Sequence, residues 1–189
     1  MKKIILLPIS LIVAMLFLAT TACAHPAPGN QATKEAATGK NALLADTIEV
    51  MSQAMGRTIK NVVIKPEYYI TGNQAARFPV LYLLHGAYGC YSDWSKKTDL
   101  HPLADKYHVI IVCPDGQDSW YFDSPIDPKM QFETYVSKEL VEYIDSHYRT
   151  CANRYMRAIT GLSMGGHGAL FLAFRHGTAW AAIHGRIRV

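Results

Sequence analysis

Cysteine is scarce in this sequence, and none of it is arranged as a metal site would require. The 189 residues include 4 cysteines. Cys90, Cys113 and Cys151 lie in the main part of the chain, at separations that common metal sites do not use. Cys113 falls in an apolar stretch, where a small buried side chain is the expected role. We therefore predict no metal site and no cofactor, and we assign no disulfide.

Long apolar runs and clustered charge are missing as well. The longest apolar stretch, residues 4–18, is interrupted by Pro8 and Ser10 and is shorter than the ~20 residues of a membrane-spanning helix. The formal net charge is +4, and the Lys and Arg residues beyond the N-terminus are scattered. Without a basic stripe, the sequence does not indicate binding to nucleic acid.

Residues 1–24 are typical of a bacterial secretory signal peptide, with basic, apolar and small residues in succession. Cleavage after Ala24 fits an A-x-A site, whereas Cys23 fits a lipoprotein signal that ends before a lipid-modified cysteine. A retained membrane anchor is a third interpretation. We therefore predict export, with a periplasmic, extracellular or Cys23-anchored protein. Residues 25–45, rich in Ala, Pro, Gly, Asn, Gln and Thr, are predicted to be a flexible linker.

Strand and helix patterns alternate from position 46 onward. Two nearly continuous apolar runs, 78–84 and 108–113, predict strands that are buried on both faces, as in a parallel sheet covered by helices. The other predicted elements are strands at 46–51, 58–66 and 155–160 and helices at 92–106, 132–148 and 165–176. This alternation predicts an α/β fold with a mostly parallel sheet.

The sequence Gly161-Leu162-Ser163-Met164-Gly165 has the G-x-S-x-G form of a nucleophile elbow. It lies between a predicted strand and a predicted helix, which is the context that an elbow requires. Such a turn would strain the backbone of Ser163 and project its hydroxyl, while the helix start directs N–H groups at developing negative charge. Ser163 is therefore the candidate nucleophile, and a chance glycine-rich turn is the alternative.

A His-Gly turn, His85-Gly86, ends the first buried strand. We predict that the backbone N–H of Ala87, or else that of Tyr88, pairs with the N–H of Met164 to form an oxyanion hole. Loss of one such donor typically costs about 3 kcal/mol of transition-state stabilisation. His85 itself is predicted to order the turn rather than to act as a base.

Aromatic residues cluster in the loops after the buried strands, where open α/β sheets bind ligands. Tyr88, Trp120 and Tyr121 are predicted walls of a substrate pocket, with packing in the core as the alternative for each. Asp115, within Pro-Asp-Gly, also follows a strand, and we interpret it as a turn former before a catalytic residue.

Several separated motifs together resemble one known family, in that family's order. The matching stretches are FPVLYLLHGAYG, IIVCPDG, SWYFDSP, SKELVEYIDSHYR and AITGLSMGGHGAL. They resemble the esterase family of esterase D (S-formylglutathione hydrolase), the feruloyl and acetylxylan esterases and the antigen 85 mycolyltransferases. Over residues 46–176 the resemblance implies an α/β-hydrolase fold and hydrolysis of carboxylic or thiol esters through an acyl-enzyme on Ser163.

The rest of a catalytic triad is missing from the sequence. In α/β-hydrolases the triad runs Ser, then Asp or Glu, then His along the chain. No acidic residue follows Ser163, although His167, His176 and His184 do.

The resemblance itself stops at about residue 176. We therefore expect a partial esterase domain at 46–176, an incomplete α/β-hydrolase fold, and a divergent tail at 177–189. A frameshift or an early end would explain this tail, and a genuine short variant is the alternative. The strand at 155–160 would then be an open sheet edge.

The sequence therefore predicts a secreted serine esterase, weak or inactive in this form, for a small-molecule or carbohydrate-linked ester. Any membrane contact would come through a lipid on Cys23. One alternative is a carbohydrate- or lipid-binding remnant that has lost catalysis. Another is an acyltransferase that uses the same Ser163.

Overall fold

One sheet of six strands organises residues 44–186, the part of the chain that the computed structural model describes, with side chains through residue 181. The strands are β1 (Ala45–Ser52), β2 (Arg57–Ile64), β3 (Val80–Leu84), β4 (Ile110–Pro114), β5 (Arg157–Leu162) and β6 (Ala182–Arg186). Across the sheet the order is β1-β2-β4-β3-β5-β6. The β1–β2 and β2–β4 pairs are antiparallel, and the β4–β3, β3–β5 and β5–β6 pairs are parallel, as predicted for most of the sheet.

Six α-helices accompany these strands within the same described residues: α1 (Glu67–Thr71), α2 (Asp93–Lys97), α3 (His101–Tyr107), α4 (Phe132–Thr134), α5 (Leu140–His147) and α6 (Met164–Arg175). A π-helical segment, Tyr135–Glu139, joins α4 to α5, and a 3-10 turn, Arg154–Met156, precedes β5. None of the helices between residues 44 and 186 is long and apolar enough to cross a membrane.

The single helix predicted at 92–106 is wrong, because the structure has two. Thr98 takes an extended conformation (φ −146°, ψ 133°) that ends α2. Pro102 lies in the first turn of α3, where its missing N–H costs nothing, and inside a longer helix it would break the hydrogen-bond ladder.

Alternating side chains of the central strands feed two separate cores. Val80, Tyr82 and Leu84 of β3 pack on one face of the sheet, under α5 and α6, whereas Leu81 and Leu83 pack on the other face with α3. Because helices cover both faces, the middle strands are apolar throughout, which is what the sequence showed.

The residues that follow α6 pack as part of the domain. Trp180 is 2% exposed, and its ring meets that of Tyr82 edge-on at a centroid separation of 5.0 Å. Arg157 donates to the carbonyl oxygen of Ala179 at 2.9 Å, and Arg154 donates to that of Trp180 at 3.1 Å. The guanidinium of Arg157 is fixed in turn by an ion pair with Asp145 on α5.

β6 corrects two predictions from the sequence. It pairs in parallel with β5, from Ala158 opposite Ala182 to Leu162 opposite Arg186, so β5 is an inner strand and not an open edge. Most of the predicted tail at 177–189 therefore belongs to the fold. No strand was expected there, because the prediction followed the family resemblance only as far as residue 176.

The N-terminal predictions lie largely outside the described residues. The signal segment, 1–24, and the linker up to residue 43 are not covered, whereas Leu44 is 3% exposed and Ala45 begins β1. The first strand therefore starts one residue before position 46, where the domain was predicted to begin.

Candidate active site

Ser163 occupies the turn between β5 and α6 with an unusual backbone conformation. Its φ of 55° and ψ of −117° lie outside the regions that L-residues ordinarily adopt. A Cβ on Gly161 would lie 2.5 Å from backbone atoms of Gly165. A Cβ on Gly165 would in turn lie 2.5 Å from the carbonyl oxygens of Leu84 and His85. β5, α6 and the end of β3 thus pack backbone to backbone and hold the strained backbone of Ser163 in place.

His85 holds together the turn that follows β3. Its ring accepts a hydrogen bond at Nε2 from the N–H of Gly116, at 2.9 Å, and its Nδ1 lies 2.7 Å from the carbonyl oxygen of Gly86. This pattern assigns the proton to Nδ1, which donates to Gly86, and makes the ring neutral. Both nitrogens are engaged, so His85 orders the turn as predicted. Asp115 also fits its predicted role, since its Oδ1 accepts from the N–H of Gln117 at 2.9 Å.

Met164 supplies the first of two candidate oxyanion donors. It is the first residue of α6, where His167 makes the first helical bond by donating to the carbonyl of Ser163 at 3.0 Å. The N–H of Met164 therefore has no acceptor within the helix and lies beside the nucleophile.

Ala87 supplies the second candidate donor, across from the elbow. The preceding Gly86 approaches so closely that a Cβ there would lie 3.5 Å from the Cβ of Ser163. The N–H of Tyr88, the other residue considered for this role, already donates to Asp118 Oδ1 at 2.6 Å. That bond favours Ala87 over Tyr88 as the oxyanion donor.

A cleft of ≈ 410 Å³ opens at Ser163, which is within the range of small-molecule sites. Tyr88 is one of its lining residues; the residue is 94% exposed, and its backbone is in the left-handed region at φ 59°. The lining residues are His85, Gly86, Ala87, Tyr88, Asp93, Trp94, Lys97, Leu162 and Ser163.

Tyr121, predicted as a pocket wall, instead lies in the core beneath the site. Its side chain is fully buried, and its hydroxyl donates to the carbonyl oxygen of His85 at 3.2 Å. Burial raises the pKa of Tyr121 well above its ordinary value of 10.0. The residue supports the His85 turn from below.

Trp120, the third predicted wall, borders α6 outside the cleft lining. It is 51% exposed, and its ring meets that of His167 edge-on at 5.5 Å. Phe122 packs against the same imidazole at 5.2 Å. His167 thus sits one helical turn beyond Ser163 in an aromatic cluster, and within the described residues no hydrogen bond joins it to the Ser163 hydroxyl.

His176 belongs to an acid–histidine pair at the far end of α6. Its Nε2 lies 2.8 Å from Glu133 Oε1, which also accepts from Arg175 Nε at 2.7 Å. Desolvation alone would raise the pKa of Glu133, but the hydrogen bonds from Arg175 and His176 outweigh it and lower that pKa below 4.5. At 1.5 Å per residue, His176 is ~20 Å along the helix from Ser163, too far to activate it.

The structure adds charged residues that the sequence interpretation passed over. Asp93 and Lys97 line the cleft, and their i,i+4 spacing was the available signal for an ion pair on one helix face. Glu133, in the helix pattern at 132–148, is a charged residue whose side chain is only 11% exposed. Among the side chains that the structure describes, those of residues 44–181, no three His, Cys, Asp or Glu residues are grouped so as to hold a metal ion.

Comparisons with known proteins agree with this fold. The model of the family described as Putative esterase matches residues 52–184, so the likeness extends past residue 176, where the sequence interpretation ended it. An acetyl esterase of Caldicellulosiruptor saccharolyticus is 38% identical over 90 residues, which is 48% of this chain and 34% of the relative. The diacylglycerol acyltransferase/mycolyltransferase Ag85B of Mycobacterium leprae (strain TN) is 32% identical over 148 residues, 71% of this chain and 41% of the relative.

Solved structures give the same result for the fold. A ferulic acid esterase superposes with a TM-score of 0.64 at 30% identity, over 72% of this chain and 54% of that chain. An S-formylglutathione hydrolase from Agrobacterium tumefaciens superposes with a TM-score of 0.64 at 22% identity, over 73% and 56%. These likenesses confirm the predicted α/β-hydrolase fold. The chain spans about a third to two fifths of the length of these curated relatives and just over half of these solved chains.

Proposed function

Since the chain belongs to this esterase family, we propose that it descends from serine esterases that cleave carboxylic or thiol esters through an acyl-enzyme on Ser163. The observation that carries the proposal is the strained φ of 55° at Ser163, locked by glycines on both sides and by the turn after β3. Strain of this kind is kept where surrounding structure enforces it, and it clusters at functional sites.

The chemistry follows from the groups around the cleft. The hydroxyl oxygen of Ser163 attacks the acyl carbon and loses its proton to a base, while the carbonyl oxygen becomes an oxyanion. The N–H groups of Ala87 and Met164 stabilise that charge. The tetrahedral intermediate then collapses, the alcohol or thiol leaves with a proton, and water repeats the sequence on the acyl-enzyme to release the acid.

No base is hydrogen-bonded to the Ser163 hydroxyl in the part of the chain whose side chains the structure describes, residues 44–181. Within the described residues, His85 is engaged at both nitrogens and His176 is held by Glu133. Loss of the acid alone costs about four orders of magnitude in turnover in a well-studied triad. We therefore propose that the chain of 189 residues is a weak esterase or an inactive one.

A fluorophosphonate probe tests the assignment of the nucleophile, with the modified peptide identified by mass spectrometry. Even slow labelling should fall on Ser163, because the oxyanion donors remain, and Ser163→Ala should abolish it. Ser146→Ala is the matched control, because Ser146 lies on exposed helix surface with its hydroxyl donating to the backbone carbonyl oxygen of Glu142. Labelling that persists in Ser163→Ala, or that Ser146→Ala removes, would contradict the assignment.

Acyl transfer is a second candidate, favoured by the similarity to Ag85B. It would use the same acyl-enzyme on Ser163 but deliver the acyl group to an alcohol. Adding a sugar alcohol to a p-nitrophenyl ester assay separates the two. An acyltransferase would form the new ester, whereas an esterase would release free acid, and a binding remnant would do neither above the Ser163→Ala background.

We also propose that the protein is exported, on the basis of residues 1–24. Mass spectrometry of the cellular protein should then find His25 as the first residue, or a lipid-modified Cys23. An intact Met1 on the mature protein would be incompatible with either form of processing.

A further inference from the structure

Two opposite charges face the cleft from one short helix. Asp93 and Lys97 are the first and last residues of α2, and both line the space that opens at Ser163. Lys97 Nζ lies 2.7 Å from Asp93 Oδ2. His85, which also lines the cleft, is already hydrogen-bonded at both ring nitrogens.

Asp93 is the inner member of this pair and is fully committed to its neighbours. Its side chain is 27% exposed, its Oδ2 accepts from Lys97, and its Oδ1 accepts from the thiol of Cys90 at 3.5 Å. The hydrogen bond from Lys97 is the main cause that lowers the pKa of Asp93, so the carboxylate stays charged at neutral pH.

Lys97 is the outer member, and Asp93 does not take up all of its ammonium N–H groups. Its side chain is 72% exposed, and one of its three ammonium N–H groups serves Asp93. A ligand that enters the cleft from solvent therefore meets the ammonium before it meets the carboxylate.

The walls beside this cation are aromatic. The only polar side-chain atom of Trp94, Nε1, donates to the carbonyl oxygen of Leu84 at 3.0 Å. Trp94 therefore presents an apolar ring to the cleft. Tyr88 stands at the mouth, positioned by the bond from its backbone N–H to Asp118. An apolar body with one negative end matches this arrangement.

We propose that Lys97 is a specificity-determining residue that selects substrates carrying a carboxylate on an apolar body. This inference rests on the proposed function for the nature of the substrate, but it concerns binding and does not depend on which group acts as the base. Asp93 moderates the effect, because it competes with the ligand for the same ammonium.

A titration with two ligands of equal shape tests the proposal without requiring catalysis. 4-Phenylbutyrate carries the charge and 4-phenylbutanamide does not. The indole N–H resonance of Trp94 reports binding inside the cleft, assigned by comparison with Trp120→Phe and Trp180→Phe. Wild type should bind the carboxylate about three- to fivefold more tightly than the amide at low salt, the ceiling for an exposed ion pair. At 0.5 M NaCl the preference should largely vanish.

Three variants should give three different results if Lys97 is responsible for the preference for the carboxylate. Lys97→Gln should abolish the preference, and Asp93→Asn should enlarge it by freeing the ammonium. Lys96→Gln, on the same helix but outside the cleft lining, should leave it unchanged. Equal binding of both ligands by wild type, or a preference that survives Lys97→Gln, would overturn the proposal. Fluorophosphonate labelling that persists in Ser163→Ala, with the preference intact, would refute the assignment of the nucleophile and leave this subsite standing.

Discussion

Replacing Trp180 by Ala tests whether the residues after α6 belong to the cooperative fold. Trp180 is 2% exposed and packs on Tyr82 in the core beneath the sheet. A buried Trp covers roughly 150–250 Å², and at about 25 cal/mol per Å² its transfer to water costs ~4–6 kcal/mol as an upper bound. Measured losses for Trp→Ala in cores are about 3–5 kcal/mol, which is a large part of the ~5–15 kcal/mol of a typical domain.

Urea denaturation followed by far-UV circular dichroism measures this loss. With a slope near ~2 kcal/mol per M, a loss of 3–5 kcal/mol lowers the midpoint by ~1.5–2.5 M. Phe174→Ala is the matched control, because Phe174 also lies beyond the elbow but is 79% exposed, and its loss should stay within about 0.5 kcal/mol.

A second substitution at the same position separates packing from polarity. The indole N–H of Trp180 has no hydrogen-bond partner among the described residues. Trp180→Phe keeps a large ring and removes that donor, so its cost should be about 1 kcal/mol or less. If Trp180→Ala behaves like the Phe174 control, residues 177–186 fold independently of the core and the reasoning fails.

Three further predictions concern other parts of the domain. Gly165→Ala should cost about 3 kcal/mol in the same urea assay, because its Cβ would lie 2.5 Å from backbone oxygens. Gly177→Ala is the control and should be neutral, because nothing lies within 4 Å of a Cβ at that position. Equal effects of the two substitutions would contradict the elbow packing. Glu133 has a pKa lowered below 4.5, so its contribution is present above that pH and is lost as the pH falls. Glu133→Gln should therefore cost about 1 kcal/mol at pH 7 and progressively less as the pH falls below 4.5, and a cost that does not change with pH would be incompatible with this. Burial raises the pKa of the Cys113 thiol to about 12, so iodoacetamide at pH 8 should modify Cys113 only after unfolding, as peptide mapping would show.

Features encoded by local pattern were predicted well from the sequence. The apolar runs of β3 and β4 show their burial directly, since each residue faces a helix-covered side of the sheet. The elbow could be predicted equally well from the sequence, because close backbone contacts next to Ser163 require glycine at positions 161 and 165. The α/β-hydrolase fold followed from these two signals and the family resemblance.

Features that depend on distant partners were not predictable in the same way. β6 is a strand because β5 offers it an edge, and Trp180 is buried because the Tyr82 ring lies beneath it. Tyr121 and Tyr88 are both loop tyrosines in the sequence, and only the folded loop decides that one enters the core and the other stands in solvent. Glu133 shows the same limit, since its partners lie more than 40 residues further along the chain.

The strand order has a consequence for how the protein acquires its nucleophile. β3 pairs on one side with β4, where Val80 meets Ile110, and on the other with β5, where Val80 meets Arg157. The second pairing spans a loop of roughly 80 residues, and such long-range contacts form late because the chain must first be confined. The backbone of Ser163 is held by that pairing, so its strained geometry cannot exist in a partly folded chain. The time at which Ser163 becomes reactive during refolding would then report when the last step of folding takes place.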